Sequence, residues 1–198
     1  MSDLAGFELL TRAHVYLSEV AAAVPERAWG APTPCSAWTV RQVLNHARLD
    51  QQAYGAAITG ADRPGSDPFR PADVLDSDAQ TVLEKVLRGV ADAYAQLPAD
   101  SPEVATPLGP LPFPPAAAAA AMNAAVHAWD IAVATGQDAP LEEEPAAGIR
   151  FAADRLVDHL RDSYGVFAAP REVPAAAGRA EALLAFLGRD PHWTPAVS

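Results

Sequence analysis

The chain is poor in the residues that mark several functional classes. Cys35 is the single cysteine among 198 residues, so an intrachain disulfide is excluded and nothing argues for an oxidising compartment. Lys85 is the single lysine, and the net charge is −11. No run of Lys and Arg exists to neutralise phosphates, so nucleic acid and anionic membranes are not expected as partners. Aromatic residues make up 7%. The first ten residues, MSDLAGFELL, lack a basic stretch followed by an apolar one, so a cytoplasmic location is expected. The run Ala116 to Ala121 is too short and too weakly apolar to span a bilayer. There is no P-loop, Rossmann fingerprint, nucleophile elbow or paired-cysteine zinc motif.

What is present is alanine, proline and helical periodicity. Half of the residues are hydrophobic, enough for one buried core, and the length suits one domain. A first helix is predicted over 4–24, with Leu10, Val15, Leu17, Val20 and Val24 as its apolar stripe. The loop between Trp29 and Trp38 carries two prolines, and both indoles are expected to pack onto the bundle. Thr39 with Gln42 forms a capping box for a second helix over 40–59. Its stripe is Val40, Val43, Leu44, Ala47, Tyr54 and Ile58, and Gly60 stops it. Ser77 or Asp78 is expected to cap a third helix over 79–97. The proline-dense stretch 98–115 is expected to be irregular. A fourth helix runs over 116–135 and stops at Gly136. A fifth covers 146–164 behind Pro145 and three glutamates, and a short last helix covers 181–187. No strand pattern appears. The fold class is therefore all-α: a four-helix bundle with an additional helix and a short C-terminal helical tail. It forms one domain over 1–198, with the bundle over 1–164 and an extension over 165–198.

Two histidines stand out. His46 lies at the edge of the second helix's stripe, with Asp50 one turn on. His127 occupies a similar edge on the fourth helix, with Asn123 one turn before it and Asp130 three residues after. Facing helices that carry such residues can bring imidazoles and carboxylates to one point, as bundle metal sites do. The plainer reading is a pair of hydrogen-bonded structural histidines. Cys35 reads as a small buried hydrophobe, Trp129 as core, and His14, His159 and His192 as structural or solvated.

Three strings carry a resemblance. Pro32-Thr-Pro-Cys-Ser-Ala-Trp38-Thr-Val-Arg-Gln-Val-Leu-Asn-His46 resembles an N-terminal signature of actinobacterial DinB-like proteins, a P-T-P-C-x-x-W-T-V loop leading to an N-H pair. The run from Val126 to Gly136 resembles that family's H-G-W-D-L-A-x-A-T-G run, and Leu184 to Pro191 its L-L-x-L-L-G-R-D-P ending. The family is related to the N-terminal domain of mycothiol-dependent maleylpyruvate isomerase.

The resemblance implies a DinB-like bundle holding one divalent metal, Zn or Ni, near its open end. The ligands it implies are a histidine on the second helix and an E-x-x-x-H pair on a later one. His46 and His127 match, whereas Asn123 stands at the glutamate's position. A neutral amide is a weaker ligand than a carboxylate, and Asp50 is a candidate replacement. Asp130 and Trp129 are candidates for the binding region, and Asp130 reads best as an anchor.

The resemblance also implies mycothiol as a cosubstrate. Three readings follow. One is a metal-dependent enzyme joining a low-molecular-weight thiol to a small electrophile, or isomerising it. Another is a metal-free small-molecule pocket, in a binding protein or an enzyme of specialised metabolism, with His46 and His127 as hydrogen-bonding or acid–base groups. A third is a structural bundle that forms a homodimer.

Overall fold

A computed structural model describes residues 6–75 and 78–195. Six helices follow one another: α1 Gly6–Ala22, α2 Val40–Thr59, α3 Ala79–Ala95, α4 Phe113–Thr135, α5 Glu143–Tyr164 and α6 Arg179–Phe186. A 3-10 turn, Glu26–Ala28, follows α1. Among the described residues there is no strand, only the isolated bridges Pro32–Thr39 and Val104–Leu111. The all-α expectation holds.

Four helices close a ring in the order α1, α4, α2, α3, because α1 packs on α4 and α3, and α2 packs on α4 and α3. α5 lies outside against α4, and α6 against α5. The most apolar member, α4, is flanked by α1 and α2 within the ring and by α5 outside it. α4 is buried on nearly every side, from Phe113 and Ala116 through Ile131 and Ala132. By length and composition α4 could cross a membrane, yet 89% of its most apolar window is covered by the rest of the protein. Its alanines let neighbouring backbones approach closely, and side-chain volume comes from Leu9, Leu10 and Leu17 of α1 and Leu83, Leu87 and Val90 of α3.

Several local signals act as expected. Thr39 and Gln42 form both bonds of the capping box. Gly60 and Gly136 close α2 and α4 in the left-handed conformation, with φ of 72° and 70°.

Other details differ. Val15 is 49% exposed, so the buried face of α1 runs instead through Leu10, Ala13, His14, Leu17 and Ala21. α4 begins at Phe113 and α5 at Glu143, earlier than the prolines suggested. Proline in a first turn loses no helical hydrogen bond, because the first N–H groups have no partner there. Asp78 occupies the N-cap of α3 but makes no side-chain capping bond, and Ser77 and the start expected at Leu4 lie outside the described residues. Gly55 sits where α2 meets α3, and a methyl group there would already touch Val90 Cγ2 at 3.4 Å.

Candidate functional site

α2 presents a row of three polar side chains, Gln42, Asn45 and His46, spaced so that they share one face. The loop after α2 folds back onto that row. Asn45 donates to the carbonyls of Ala72 and Val74 at 2.8 and 2.9 Å, and Gln42 donates to that of Pro71 at 3.3 Å. His46 Nδ1 meets the Pro68 carbonyl at 2.8 Å. A carbonyl only accepts, so Nδ1 carries the proton and Nε2 carries a lone pair.

Across the seam, α4 supplies His127 and Asn123. The two imidazole rings meet edge to face with centroids 4.7 Å apart. The expectation that they face one another across α2 and α4 is met. His127 Nδ1 lies 2.9 Å from Asp130 Oδ2, which again leaves the lone pair on Nε2. Both rings are over nine-tenths buried. Burial is the main reason that the His46 pKa falls to about 3, with the nearby His127 adding to it. Burial also lowers that of His127, against the pull of Asp130. Both imidazoles are therefore neutral at pH 7.

Trp38 forms one wall. Its ring centroid is 4.7 Å from that of His46 and 6.4 Å from that of His127. Trp38 packs against the core but is only half-buried, so its role is shared between anchoring the loop and bordering the histidines. The Phe69 ring, on a residue 55% exposed, has its centroid 5.9 Å from that of His46.

Behind His127 lies a charged cluster. Asp130 is fully buried and takes Arg189 Nη2 at 3.1 Å and the Cys35 thiol at 3.2 Å. Burial works against the Asp130 charge, but the Arg189 guanidinium and the His127 N–H outweigh it and hold the carboxyl below its usual range. The thiol is the reverse case. Burial and then Asp130 push the Cys35 pKa well up, so it stays a thiol that donates to the carboxylate. Cys35 is thus more than a small hydrophobe.

Arg189 arrives from beyond α6, in the Leu-Gly-Arg-Asp-Pro string. Gly188 makes this possible: its φ is +81°, and an added Cβ would lie 2.8 Å from the Ala168 carbonyl oxygen.

Asn123 joins a second network, which sequence reasoning missed. Gln51, fully buried at the centre of the α2 stripe, donates to the Ala120 carbonyl at 2.8 Å and to Asn123 Oδ1 at 3.2 Å. Its oxygen takes His14 Nε2 at 2.9 Å. Asn123 then directs Nδ2 at His46 Nε2, 3.3 Å away. The readable signal was the step of the α2 stripe between Ala47 and Tyr54, which falls on a glutamine. A polar side chain on an apolar stripe needs buried partners.

Asp50 makes no hydrogen bond to the histidine pair. Burial alone raises its pKa to about 7. Trp129 is 4% exposed in the core.

The donor set can be tested against a divalent cation. The two Nε2 atoms, each backed by an anchored Nδ1, suit zinc or nickel. The remaining positions do not. Asn123 aims a donor at His46 and turns its oxygen to Gln51. The Cys35, His127 and Asp130 atoms lie within 4.8 Å of one another, yet Asp130 is already neutralised by Arg189. As folded, these residues do not fit the metal centre that the family resemblance implies.

Fold and site together define an all-helical, DinB-like bundle with a paired-histidine centre between α2 and α4. The chain belongs to the mycothiol maleylpyruvate isomerase N-terminal domain family, whose profile matches residues 10–132. It is 31% identical over 162 residues to uncharacterised proteins of two Mycobacterium tuberculosis strains, CDC 1551 / Oshkosh and ATCC 25618 / H37Rv. The match covers 81% of this chain and 84% of each relative. No solved structure matches the chain.

Proposed function

We propose that the chain is an enzyme that activates a low-molecular-weight thiol of the mycothiol type toward a small electrophile at the His46–His127 cleft. The observation that carries this reading is the state of His127. Its ring is buried, Asp130 holds Nδ1, and Nε2 has no hydrogen-bond partner among the described residues. Nor is that nitrogen sealed from solvent.

A neutral imidazole backed by a carboxylate is suited to act as a general base. The S–H proton of the thiol passes to His127 Nε2, and the sulfur adds to an electron-poor carbon. The imidazolium returns the proton to the adduct. Asp130 stabilises the imidazolium, and Arg189 keeps Asp130 charged. Elimination of the thiol after rotation about the saturated bond is an isomerisation, and retention of the thiol is a transfer.

Thiol consumption with mycothiol and maleylpyruvate, and with other electron-poor alkenes, tests this. His127→Ala is expected to lower the rate about 100-fold or more. A rate unchanged by His127→Ala would remove His127 as the base, and no thiol consumption above background in the wild type would leave a binding pocket without catalysis.

One observation favours a second reading. Both Nδ1 atoms are anchored, the arrangement that metal-bound histidines use to aim Nε2. In that reading His46 and His127 would hold zinc or nickel once Asn123 turned its oxygen toward His46, and the ion would supply Lewis acidity. Elemental analysis of protein purified without an affinity tag separates the two. Stoichiometric metal would establish the second.

A further inference from the structure

We propose that Gln51 is a positioning residue that closes this site to divalent cations, by fixing which end of the Asn123 amide faces His46. The inference rests on the cleft between the two histidines being the functional site, and not on any reaction there.

Two groups in this network cannot change role. The carbonyls of Ala120 and Pro68 only accept hydrogen bonds. At one end, Ala120 therefore takes the Gln51 NH2 group, at 2.8 Å. That leaves Gln51 Oε1 as the atom 2.9 Å from His14 Nε2, which must be protonated. The second N–H of Gln51 points at Asn123, which answers with Oδ1 at 3.2 Å. The Asn123 NH2 group is then the end that reaches His46. At the other end, Pro68 takes the His46 Nδ1 proton, so Nε2 is the acceptor that Asn123 requires. The chain His14, Gln51, Asn123, His46, Pro68 runs in one direction, with a donor meeting an acceptor at every link.

A cation on His46 Nε2 has to displace the Asn123 NH2 group and draw Oδ1 in its place. That rotation would set the Asn123 NH2 group against the Gln51 NH2 group. Gln51 cannot turn in response, because its oxygen would then face the Ala120 carbonyl. Gln51 is fully buried, so no solvent route relieves the conflict. A carboxylate at position 123 would behave differently. It accepts at both ends, so it could keep the Gln51 bond and still offer an oxygen to the cation. The metal preference of the site is thus set one residue behind the ligand position.

Zinc titration by calorimetry, on protein made without an affinity tag, tests this with four chains. Gln51→Leu is expected to bind Zn²⁺ about tenfold more tightly than the wild type, since one opposed buried hydrogen bond is removed. Asn123→Asp is expected to bind more tightly as well. The double variant is expected to bind no more tightly than Asn123→Asp, because a carboxylate has no wrong end. Adding His46→Ala should abolish each gain.

If Asn123→Asp gains affinity and folded Gln51→Leu does not, this inference fails while the site reading stands. If no variant binds zinc and His46→Ala leaves the thiol reaction unaltered, the site reading fails too. Should Gln51→Leu not fold, the wild type still decides. Long-range 1H–15N spectra are expected to show His46 protonated on Nδ1 and His14 on Nε2, and the opposite tautomer of either would overturn the proposal.

Discussion

His14 shows how much a residue's meaning depends on its partner. Its ring is 6% exposed, and burial lowers its pKa to about 4 despite the bond to Gln51. The folded state therefore prefers the neutral form. An unfolded histidine with a pKa near 6.5 takes up a proton first as the pH falls. The stability that neutral His14 contributes is complete above pH 6.5 and lost progressively down to about 4. The loss amounts to about 3 kcal/mol at most. His14→Gln keeps a donor for the Gln51 oxygen and cannot titrate. Chemical denaturation at several pH values is expected to show the wild type losing stability relative to His14→Gln across that window. Parallel profiles would show that His14 titrates normally. Arg189 makes the complementary point, since it is charged, almost fully covered and matched to one carboxylate. Removing one partner of such a pair leaves the other buried and uncompensated.

At the scale of elements, the site depends on turns as much as on helices. α2 starts at its capping box, which fixes the phase of the helix and so the direction of His46. The loop over 61–75 is tied to α2 by Gln42, Asn45 and His46, and supplies the Pro68 carbonyl. The short α6 delivers Arg189 through the turn at Gly188. Gly188→Ala meets both a left-handed φ and a contact of 2.8 Å with the Ala168 oxygen. The expected cost is about 2 kcal/mol or more, read from urea unfolding. An unchanged midpoint would show that this turn is not strained by a side chain.

For the whole molecule, the ring of α1, α4, α2 and α3 makes the core, and α6 belongs to the same buried cluster through Leu183, Leu184 and Leu187. Shortening the chain to end at Ala177 removes these three leucines and Arg189 together. Burying the leucines contributes roughly 5 kcal/mol. That is comparable with the total stability of an ordinary domain. The shortened chain is expected to show a much lower thermal midpoint in circular dichroism, and an unchanged midpoint would show that the last segment is dispensable. The family match ends at residue 132, so Arg189 lies outside the matched part of the chain.

The sequence by itself determined the helices, and with them the histidine pair. Local spacing carries that information: Thr39 and Gln42 start α2, Gly60 and Gly136 stop α2 and α4, and the apolar stripes tell which faces turn inward. Two histidines singled out on separate helices could then share one seam, and the packing of α2 on α4 brought their rings together. Local spacing could not say what else would meet them there. Arg189 reaches Asp130 from 59 residues away, and Gln51 reaches Asn123 from 72. Whether Asn123 offers its oxygen or its N–H depends on Gln51, whose orientation depends on a carbonyl of α4. Hydrogen-bond direction is settled only when every buried donor and acceptor is in place, so tertiary structure decided the chemistry of the site.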